Sequence, residues 1–239
     1  MKESWLKVKQ YFTQDTTTFA AGISGKKLFL VFVIFSIFGA YYEQILNLVK
    51  CYLADGTIFW ESRAGVFYGP FSPIYGMGAL IMVALFARRD RPWYQVFFYG
   101  FLFGGIFEYA ISFLQEIFTG TTSWDYSDHF LNIGGRTTIP FMIAWGAMTV
   151  ILIKVIYPVI SKAIESIPNR LGNVLFVILF IFLSINMFVS WTALIRGAMR
   201  RQDMPPLTPV GHFYDRVFPD SYLQKQFPNM NFEPEKGVK

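Results

Sequence analysis

Residues 124–136 read WDYSDHFLNIGGR, a polar and charged stretch between two long apolar ones. Two aspartates, a histidine, an asparagine and an arginine fall within this short span. Charged side chains beside a lipid bilayer are costly unless they find partners or water. We therefore predict a loop here that joins two membrane helices. We expect a second polar stretch, residues 61–73, to lie on the same side of the membrane.

The composition is that of a membrane protein. Of the 239 residues, 54% are hydrophobic, 19% are aromatic and only 15% are charged, which is unlike a soluble domain. The formal net charge of +5 is interpreted as an orientation signal. Basic runs interleaved with aromatic residues are missing, so no nucleic-acid partner is predicted. Cys51 is the only cysteine, which excludes an intrachain disulfide.

Apolar stretches predict the helices, because a spanning helix needs about 20 apolar residues. They cover residues 28–49, 66–87, 93–118, 139–160 and 173–195. The predicted fold is an all-α polytopic membrane protein, a bundle of about five transmembrane helices. Gly69, Pro70 and Pro73 interrupt the second stretch, so we expect the second helix to have an irregular start. The alternative is that residues 66–73 simply lie in an interfacial loop.

Three segments follow from this pattern. Residues 1–25 are a basic N-terminal segment, for which an interfacial helix and a frayed terminus are both open. Residues 26–198 form the transmembrane bundle. Residues 199–239 are a Pro-rich, aromatic C-terminal tail, interpreted as an ordered extended segment packed on the bundle.

Basic connectors set the expected orientation. Arg88, Arg89 and Arg91 lie in one tight connector, which marks the cytoplasmic side. The N-terminus is then cytoplasmic, and loops 50–65 and 119–138 are outside. Alternation of the helices puts the tail outside as well. The arginines at positions 196, 200 and 201 argue for the opposite side, and the sequence leaves this conflict open.

Carboxylates within apolar helices point to a site. Glu43 and Glu108 each interrupt a predicted span, and intramembrane carboxylates are functional candidates by default. With the polar loops they predict a substrate-binding site at the outer membrane interface. Its predicted members are Glu61, Arg63, Tyr68, Glu108, Ser112, Asp125, Asn132 and Arg136. The alternative is that these charges pair with one another and hold two loops together.

Motifs for known cofactors are missing from the sequence. There is no Walker A motif, dinucleotide fingerprint, HExxH or GxSxG. No cofactor is predicted, no catalytic residue is assigned, and an enzyme is not the favoured interpretation. Asp125 and Asp128 stand three positions apart and could hold Mg²⁺. That pair alone is not a specific metal motif, so no metal site is predicted.

Several short motifs together resemble a known family. They are Arg63, FYGPF at 67–71, PIYG at 73–76, Glu108-Tyr109, Ser112, Glu116, WDYS at 124–127, Asn132, Gly135-Arg136 and Trp145-Gly146. With these, the chain resembles the CmpB-like bacterial membrane proteins catalogued as putative ABC-transporter type IV. The resemblance covers most of residues 30–232, including the tail motifs FPD at 218–220 and FPNM at 227–230. Gly134 stands where the family is expected to carry asparagine.

The resemblance implies a multi-pass protein of the bacterial inner membrane that is linked to transport. The favoured function is a permease-like transport component in contact with membrane lipids, with an ATPase on a separate chain. Five short helices are few for a full pathway, so a second copy or another subunit is expected. Two alternatives remain. One is an intramembrane enzyme acting on a lipid or polyprenyl head group, and the other is a non-catalytic subunit or sensor.

Overall fold

The computed structural model describes residues 18–228 and residue 230, and these are mostly helical. The prediction for residues 1–25 falls largely outside the described residues. The helices are α1 (Gly25–Asp55), α2 (Pro73–Phe86), α3 (Trp93–Thr119), α4 (Ile139–Ile151), α5 (Tyr157–Glu165), α6 (Asn169–Arg201), α7 (Pro209–Val217) and α8 (Asp220–Gln226). A π-helical turn, Leu152–Ile156, joins α4 to α5. Strands β1 (Asn132–Ile133) and β2 (Thr137–Thr138) pair antiparallel.

The prediction of an all-α membrane protein is confirmed. Among the described residues, four helical stretches are long and apolar enough to cross a membrane: Gly25–Asp55, Trp93–Thr119, Ile139–Glu165 and Asn169–Arg201. The third of these combines α4, the π turn and α5. Helix α2 is apolar but has only 14 residues. At 1.5 Å per residue it covers roughly 21 Å, less than the ~30 Å hydrocarbon core of a bilayer.

The predicted irregular start of the second helix is also confirmed. The chain from residue 61 to residue 72 forms no regular helix, and α2 begins at Pro73, where the missing N–H of proline is tolerated. Val66, Phe67 and Phe71 are buried, so this segment is packed into the bundle. The N–H of Phe67 donates to Ser190 Oγ of α6 at 2.9 Å, as irregular backbone inside a membrane protein requires.

Small residues allow neighbouring helices to approach closely. A Cβ added at Gly76 of α2 would lie 2.1 Å from Ser36 Oγ of α1. One added at Gly104 of α3 would lie 2.2 Å from the Trp145 side chain of α4. Gly100 and Gly104 form a GxxxG pattern, which is typical of close helix contacts in membranes. Helices α1 and α2, and α3 and α4, are therefore tightly packed pairs.

The tail is ordered in the described range, but it forms the short helices α7 and α8 where an extended segment was expected. Arginines at the end of α6 hold it. Arg196 pairs with Asp215 at 2.7 Å, and Arg200 pairs with Asp215 at 2.7 Å and with Asp220 at 2.9 Å. These arginines are thus balanced by the carboxylates of the tail and are poor indicators of membrane side.

Contacts of the tail show which loops lie beside it. Arg201 donates to the carbonyl oxygen of Thr119, the last residue of α3, at 2.9 Å. Phe67 stacks on Phe218 at 4.8 Å between ring centroids and also contacts Phe227. The tail therefore lies at the same end of the bundle as residues 56–72 and 120–138. We call this the loop end.

The opposite end of the bundle carries the basic connector and is called the basic end. Lys27, with a side chain only 1% exposed, pairs with Glu165 at the end of α5. Lys154 pairs with Asp90 of the connector at 2.7 Å. Arg91 lies over the ring of Tyr99, 5.1 Å from its centroid. Ion pairs and a cation–π contact thus join α1, the connector, α3 and the span that combines α4, the π turn and α5.

Replacement of Gly76 by alanine should destabilise the protein. The new Cβ would lie 2.5 Å from the backbone oxygen of Phe32 as well as against Ser36, and overpacking of this kind costs about 1–3 kcal/mol. We expect Gly76→Ala to lower the thermal unfolding temperature in detergent. Gly25→Ala is the matched control, since nothing lies within 4 Å of the added atom. Equal unfolding temperatures for both variants would contradict this account of the packing.

Asp215 should stabilise the attachment of the tail in a pH-dependent way. Arg196 and Arg200 lower the pKa of the Asp215 carboxyl to about 2, against about 3.9 in an unfolded chain. The stabilisation is therefore complete above about pH 4 and is lost as the pH falls toward 2. Asp215→Asn should lower the unfolding temperature at pH 7, and its difference from the wild type should shrink below pH 4.

The control for this experiment is Asp203→Asn, which removes one carboxylate from an exposed position of the same tail. Its backbone has a positive φ of 57°, which asparagine tolerates. A pH-independent difference between Asp215→Asn and the wild type would show that the ion pairs do not stabilise the tail.

Candidate functional site

A short hairpin shapes the polar loop at the loop end. Gly134 and Gly135 connect β1 to β2 with φ values of 59° and 67°, and Arg136 N–H donates to the Ile133 oxygen at 3.2 Å. Residues 134–136 separate the two strands, and two successive residues with positive φ favour a tight turn with glycine at both positions. This turn places the side chain of Arg136 next to α3.

Asn132 and Asp125 hold the rest of the loop in place. The Asn132 amide donates to the backbone oxygens of Ser127 and His129 at 2.9 and 3.1 Å. Its carbonyl oxygen accepts from Gly135 N–H at 3.1 Å. Asp125 accepts from the hydroxyl and the N–H of Ser127 at 2.6 and 2.8 Å. These two bonds lower the pKa of Asp125 below its ordinary value, so its carboxylate is charged at neutral pH.

Arg136 is the centre of a cluster against α3. Its guanidinium pairs with Glu116 and donates to Ser112 Oγ at 3.1 Å. It also lies over the rings of Tyr109 and Phe113, 5.8 and 5.5 Å from their centroids. A guanidinium held by a carboxylate and two aromatic faces has a fixed orientation.

Glu108 lies one turn deeper on the same face of α3 and is 9% exposed. Its carboxylate accepts from Thr137 Oγ1 at 2.7 Å and from the Tyr126 hydroxyl at 3.1 Å. Burial, with the negative charge of Glu108, raises the pKa of Tyr126 above its ordinary value. The Tyr126 phenol therefore keeps its proton and remains a hydrogen-bond donor to the buried carboxylate.

Glu43 of α1 reaches the same region from the other helix pair. It accepts a hydrogen bond from the Tyr75 hydroxyl of α2, and Arg63 is close enough to interact with it electrostatically. Glu43 also interacts electrostatically with Tyr126. The two intramembrane glutamates, with Tyr75 and Tyr126 between them, thus form one polar region inside the loop-end half of the bundle.

Arg63 itself pairs with Glu61 at 2.7 Å. The Nε of Arg63 is buried and has no hydrogen-bond partner among the described residues. Tyr68 is held through its backbone, since its N–H and its carbonyl oxygen both bond to the Asn186 side chain, at 3.2 and 2.7 Å. The Tyr68 side chain is exposed.

A cavity of about 150 Å³ opens beside Arg136. We call it the Arg136 pocket. It is lined by Ser112, Glu116, Thr122, Trp124, Asp125, Ser127, Gly134, Gly135 and Arg136. The wall is almost entirely polar and carries two carboxylates and one guanidinium, which suits a small charged or strongly hydrogen-bonding group.

The structure brings together only part of the predicted set. Arg136, Ser112 and Asp125 line the Arg136 pocket, and Glu108 lies directly beneath. Asn132 braces the loop from outside. Glu61, Arg63 and Tyr68 do not line that pocket, and Arg63 interacts electrostatically with Glu43 in the neighbouring polar region. The predicted site residues thus form two neighbouring clusters at the loop end, one around Arg136 and one around Arg63.

Comparison with known proteins agrees with the membrane fold. The family described as Putative ABC-transporter type IV matches residues 30–191. The chain belongs to this family. No curated protein matches it, and no solved structure does. The chain is therefore a transport-related membrane protein. The matched range ends before the tail, so the resemblance of the tail motifs to the ABC-transporter type IV family stays a prediction.

In this member of the ABC-transporter type IV family, sequence reasoning missed several residues of the site. Glu116, the partner of Arg136, was not predicted as a site residue. Its spacing was informative, because positions 108, 112 and 116 lie four apart on one face of α3. Tyr75, Tyr126 and Thr137 carried no such signal, since only the fold brings them to the glutamates.

In the part of the chain that the structure describes, Asp125 and Asp128 do not belong to a larger group of metal-binding side chains. Within that part of the chain, no group of three or more His, Cys, Asp or Glu side chains could hold an ion. Asp125 is engaged by Ser127, and Asp128 is exposed. The chemistry that the site offers is ion pairing, hydrogen bonding and proton binding.

Proposed function

We propose that this chain is the permease-like component of a transport system and that the Arg136 pocket binds its solute. The observation that carries the proposal is the position of Glu108. This carboxylate does not line the pocket, but it is buried in the bundle one helical turn below Ser112, so polar groups extend from the pocket into the apolar span of α3. Polar residues that line such an internal path mark solute and ion routes in transporters.

The charges of the pocket favour an anionic or zwitterionic solute. A carboxylate or phosphate group would compete with Glu116 for the guanidinium of Arg136, whose planar fork suits both groups. Asp125 and Glu116 could then bind a positive group of the same solute. Glu108 and Glu43, linked through tyrosine hydroxyls, could take up a proton as the solute passes.

The proposed setting is the bacterial inner membrane, with the N-terminus and the basic end in the cytoplasm and the loop end outside. The arginine-rich connector supports this orientation. An ATPase on a separate chain is the proposed energy source, because the sequence carries no nucleotide-binding motif. Four long spans and one short helix are few for a complete transport pathway. A second copy of the chain or another subunit would therefore complete it.

A second candidate function is an intramembrane enzyme acting on a lipid or polyprenyl head group. The exposed carboxylate of Asp125 beside Arg136 favours it, since an acid–base group next to a phosphate-binding arginine suits such chemistry. Incubation of the purified protein alone with phospholipids and polyprenyl phosphates separates the two. Chemical change of a lipid without any ATPase would support the enzyme and reject the transporter.

Conservative changes in the site should impair activity without unfolding the protein. Arg136→Lys keeps the charge but loses the planar fork, and Glu108→Gln keeps the shape but loses the charge. A hydrogen bond to a charged group contributes about 1.5–3 kcal/mol, so we expect solute affinity to fall by roughly tenfold or more. The measurement is complementation of a deletion strain by each variant, with thermal unfolding of the purified proteins alongside.

The matched control is Arg88→Lys, the same substitution at an exposed position of the basic end. It should complement fully. If Arg136→Lys and Glu108→Gln also complement fully, the pocket has no role in function. If both lose activity only in proportion to lost thermal stability, the charges serve to hold the loops together.

The proposed orientation predicts which cysteines a membrane-impermeant maleimide reaches. Cys51, a free cysteine near the loop end of α1, should be labelled in intact cells. In a Cys51→Ser background, Leu207→Cys in the tail, where the native side chain is 89% exposed, should be labelled as well. Arg88→Cys should react only after permeabilisation. The reverse pattern would invert the orientation, and labelling of Leu207→Cys and Arg88→Cys alike would contradict the fold.

A further inference from the structure

A second pocket lies at the basic end, far from the Arg136 pocket. Its volume is about 470 Å³. We call it the Lys154 pocket. The polar part of its wall comes from Arg89, Asp90, Lys154, Tyr157, Ser161, Lys162 and Glu165, and its apolar part from Ala87, Ile153 and Pro158. Neither the sequence motifs nor the proposed transport site uses these residues.

We propose that the Lys154 pocket binds a phosphate group. Three cations, Arg89, Lys154 and Lys162, line it against two carboxylates. Both carboxylates are already engaged, Asp90 by Lys154 and Glu165 by Lys27. Among the described residues, neither Arg89 nor Lys162 forms an ion pair. The wall therefore has cationic groups left over for an anion, and guanidinium and ammonium groups are the usual ligands of phosphate.

The pairing of Lys154 is easily exchanged. The side chain of its partner Asp90 is 98% exposed, and an exposed ion pair contributes little to stability. A phosphate group entering the pocket could take the place of Asp90 with little loss. Arg89, next to Asp90 in the connector, would then contact the same anion.

Burial of Lys27 places a cation behind the pocket wall that neutralises Glu165. Its ammonium donates to Ser161 Oγ at 2.8 Å and pairs with Glu165, and Ser161 hydrogen-bonds with Tyr157. A polar chain thus runs from the buried ammonium to the surface of the pocket. Because Lys27 balances Glu165, that carboxylate does not cancel the positive charge of Arg89 and Lys162.

The π turn lies in the wall of this pocket, in the span that combines α4 and α5. Pro158 has no backbone N–H to continue the helical ladder, and the turn before it widens over Leu152–Ile156. Such turns are frequent at functional sites. Here the turn carries Lys154 and Ile153, so the same irregularity presents a cation and an apolar side chain to the pocket.

Two sources could supply the phosphate: a phospholipid head group or free phosphate in solution. The apolar part of the wall, Ala87, Ile153 and Pro158, would suit the first carbons of a lipid. Basic pockets between membrane helices do bind such head groups. The shared chemistry is a phosphate oxygen cluster held by Arg89, Lys154 and Lys162, and the experiment distinguishes the two sources.

The test uses the full-length protein purified in a neutral detergent. Short-chain phosphatidylglycerol, short-chain phosphatidylcholine and inorganic phosphate are titrated separately, and the unfolding temperature gives the apparent affinity for each. Phosphatidylglycerol should stabilise the wild type, and phosphatidylcholine should do so far less. If inorganic phosphate raises the unfolding temperature as much as phosphatidylglycerol does, the site is assigned to free phosphate.

The decisive variant is Arg89→Gln/Lys162→Gln, which leaves both structural ion pairs intact. Each basic group near a membrane surface strengthens binding to anionic lipid roughly fivefold. Loss of two such groups should therefore lower the apparent affinity for phosphatidylglycerol roughly 25-fold. The control, Arg88→Gln/Lys225→Gln, removes the same charge from exposed positions outside the pocket and should stay near the wild-type affinity. Lys162→Arg, which keeps the charge, should bind like the wild type.

Equal losses of affinity in the two double variants would mean diffuse attraction and overturn the proposal. So would a wild type that none of the phosphate compounds stabilises. Unfolding temperatures measured without ligand show whether each variant is folded. Since the probe is phosphate and the readout is binding, the result is independent of the transport proposal for the loop end.

Discussion

A charge inside an apolar helical bundle needs a partner, and this requirement determines where the loops and the tail of this protein lie. Removing one member of a buried ion pair costs roughly 3–5 kcal/mol, which is a large part of the stability of a domain of this size. Arg136 finds Glu116, Arg63 finds Glu61, and Arg196 finds Asp215. Glu116 lies on α3 and Asp215 on α7, so the pairs of Arg136 and Arg196 join separate segments of the chain and fix their relative position, whereas Glu61 and Arg63 lie two positions apart in one loop.

The two ends of the bundle use this requirement differently. At the loop end, cations and carboxylates are matched closely, and the remaining polar groups surround a small cavity, with Glu108 buried one helical turn below Ser112. At the basic end, cations exceed carboxylates along the wall of a wider cavity. Between the two ends, Gly76 and Gly104 let the helices approach closely enough that few polar groups are needed. Close helix packing between two polar ends suits a protein in which each end binds a different ligand.

Much of the fold could be predicted from the sequence, because hydropathy and helix-breaking residues act locally. The four long spans follow from runs of apolar residues, and the irregular start of α2 follows from Pro70 and Pro73. The helix ends were less predictable. Helix α6 continues to Arg201, six residues beyond the predicted limit, since its terminal arginines are balanced by a tail whose position no local pattern encodes. The π turn has a local cause in the sequence, because Pro158 lacks the backbone N–H that a regular helix needs.

The site was predictable in kind but not in detail. Charged residues next to apolar spans indicated a polar cluster at one end, and Arg136, Ser112, Asp125 and Glu108 do lie together. The separation of Arg63 from Arg136 depends on how two helix pairs dock, which sequence spacing does not determine. The same holds for the tyrosines near the glutamates. Tyr75 and Tyr126 become relevant only because α2 and the hairpin loop meet at the loop end.

The attachment of the tail has a consequence for how the protein is made. The arginines of α6 precede Asp215 and Asp220 in the chain, so they leave the ribosome first. During that interval the end of the last long helix carries several uncompensated positive charges and lacks the aromatic cover supplied by Phe218 and Phe227. Closure of the loop end therefore has to wait until α7 and α8 have emerged and reached that end of the bundle. The order of synthesis thus makes these two short helices assemble after the long helices that they cover.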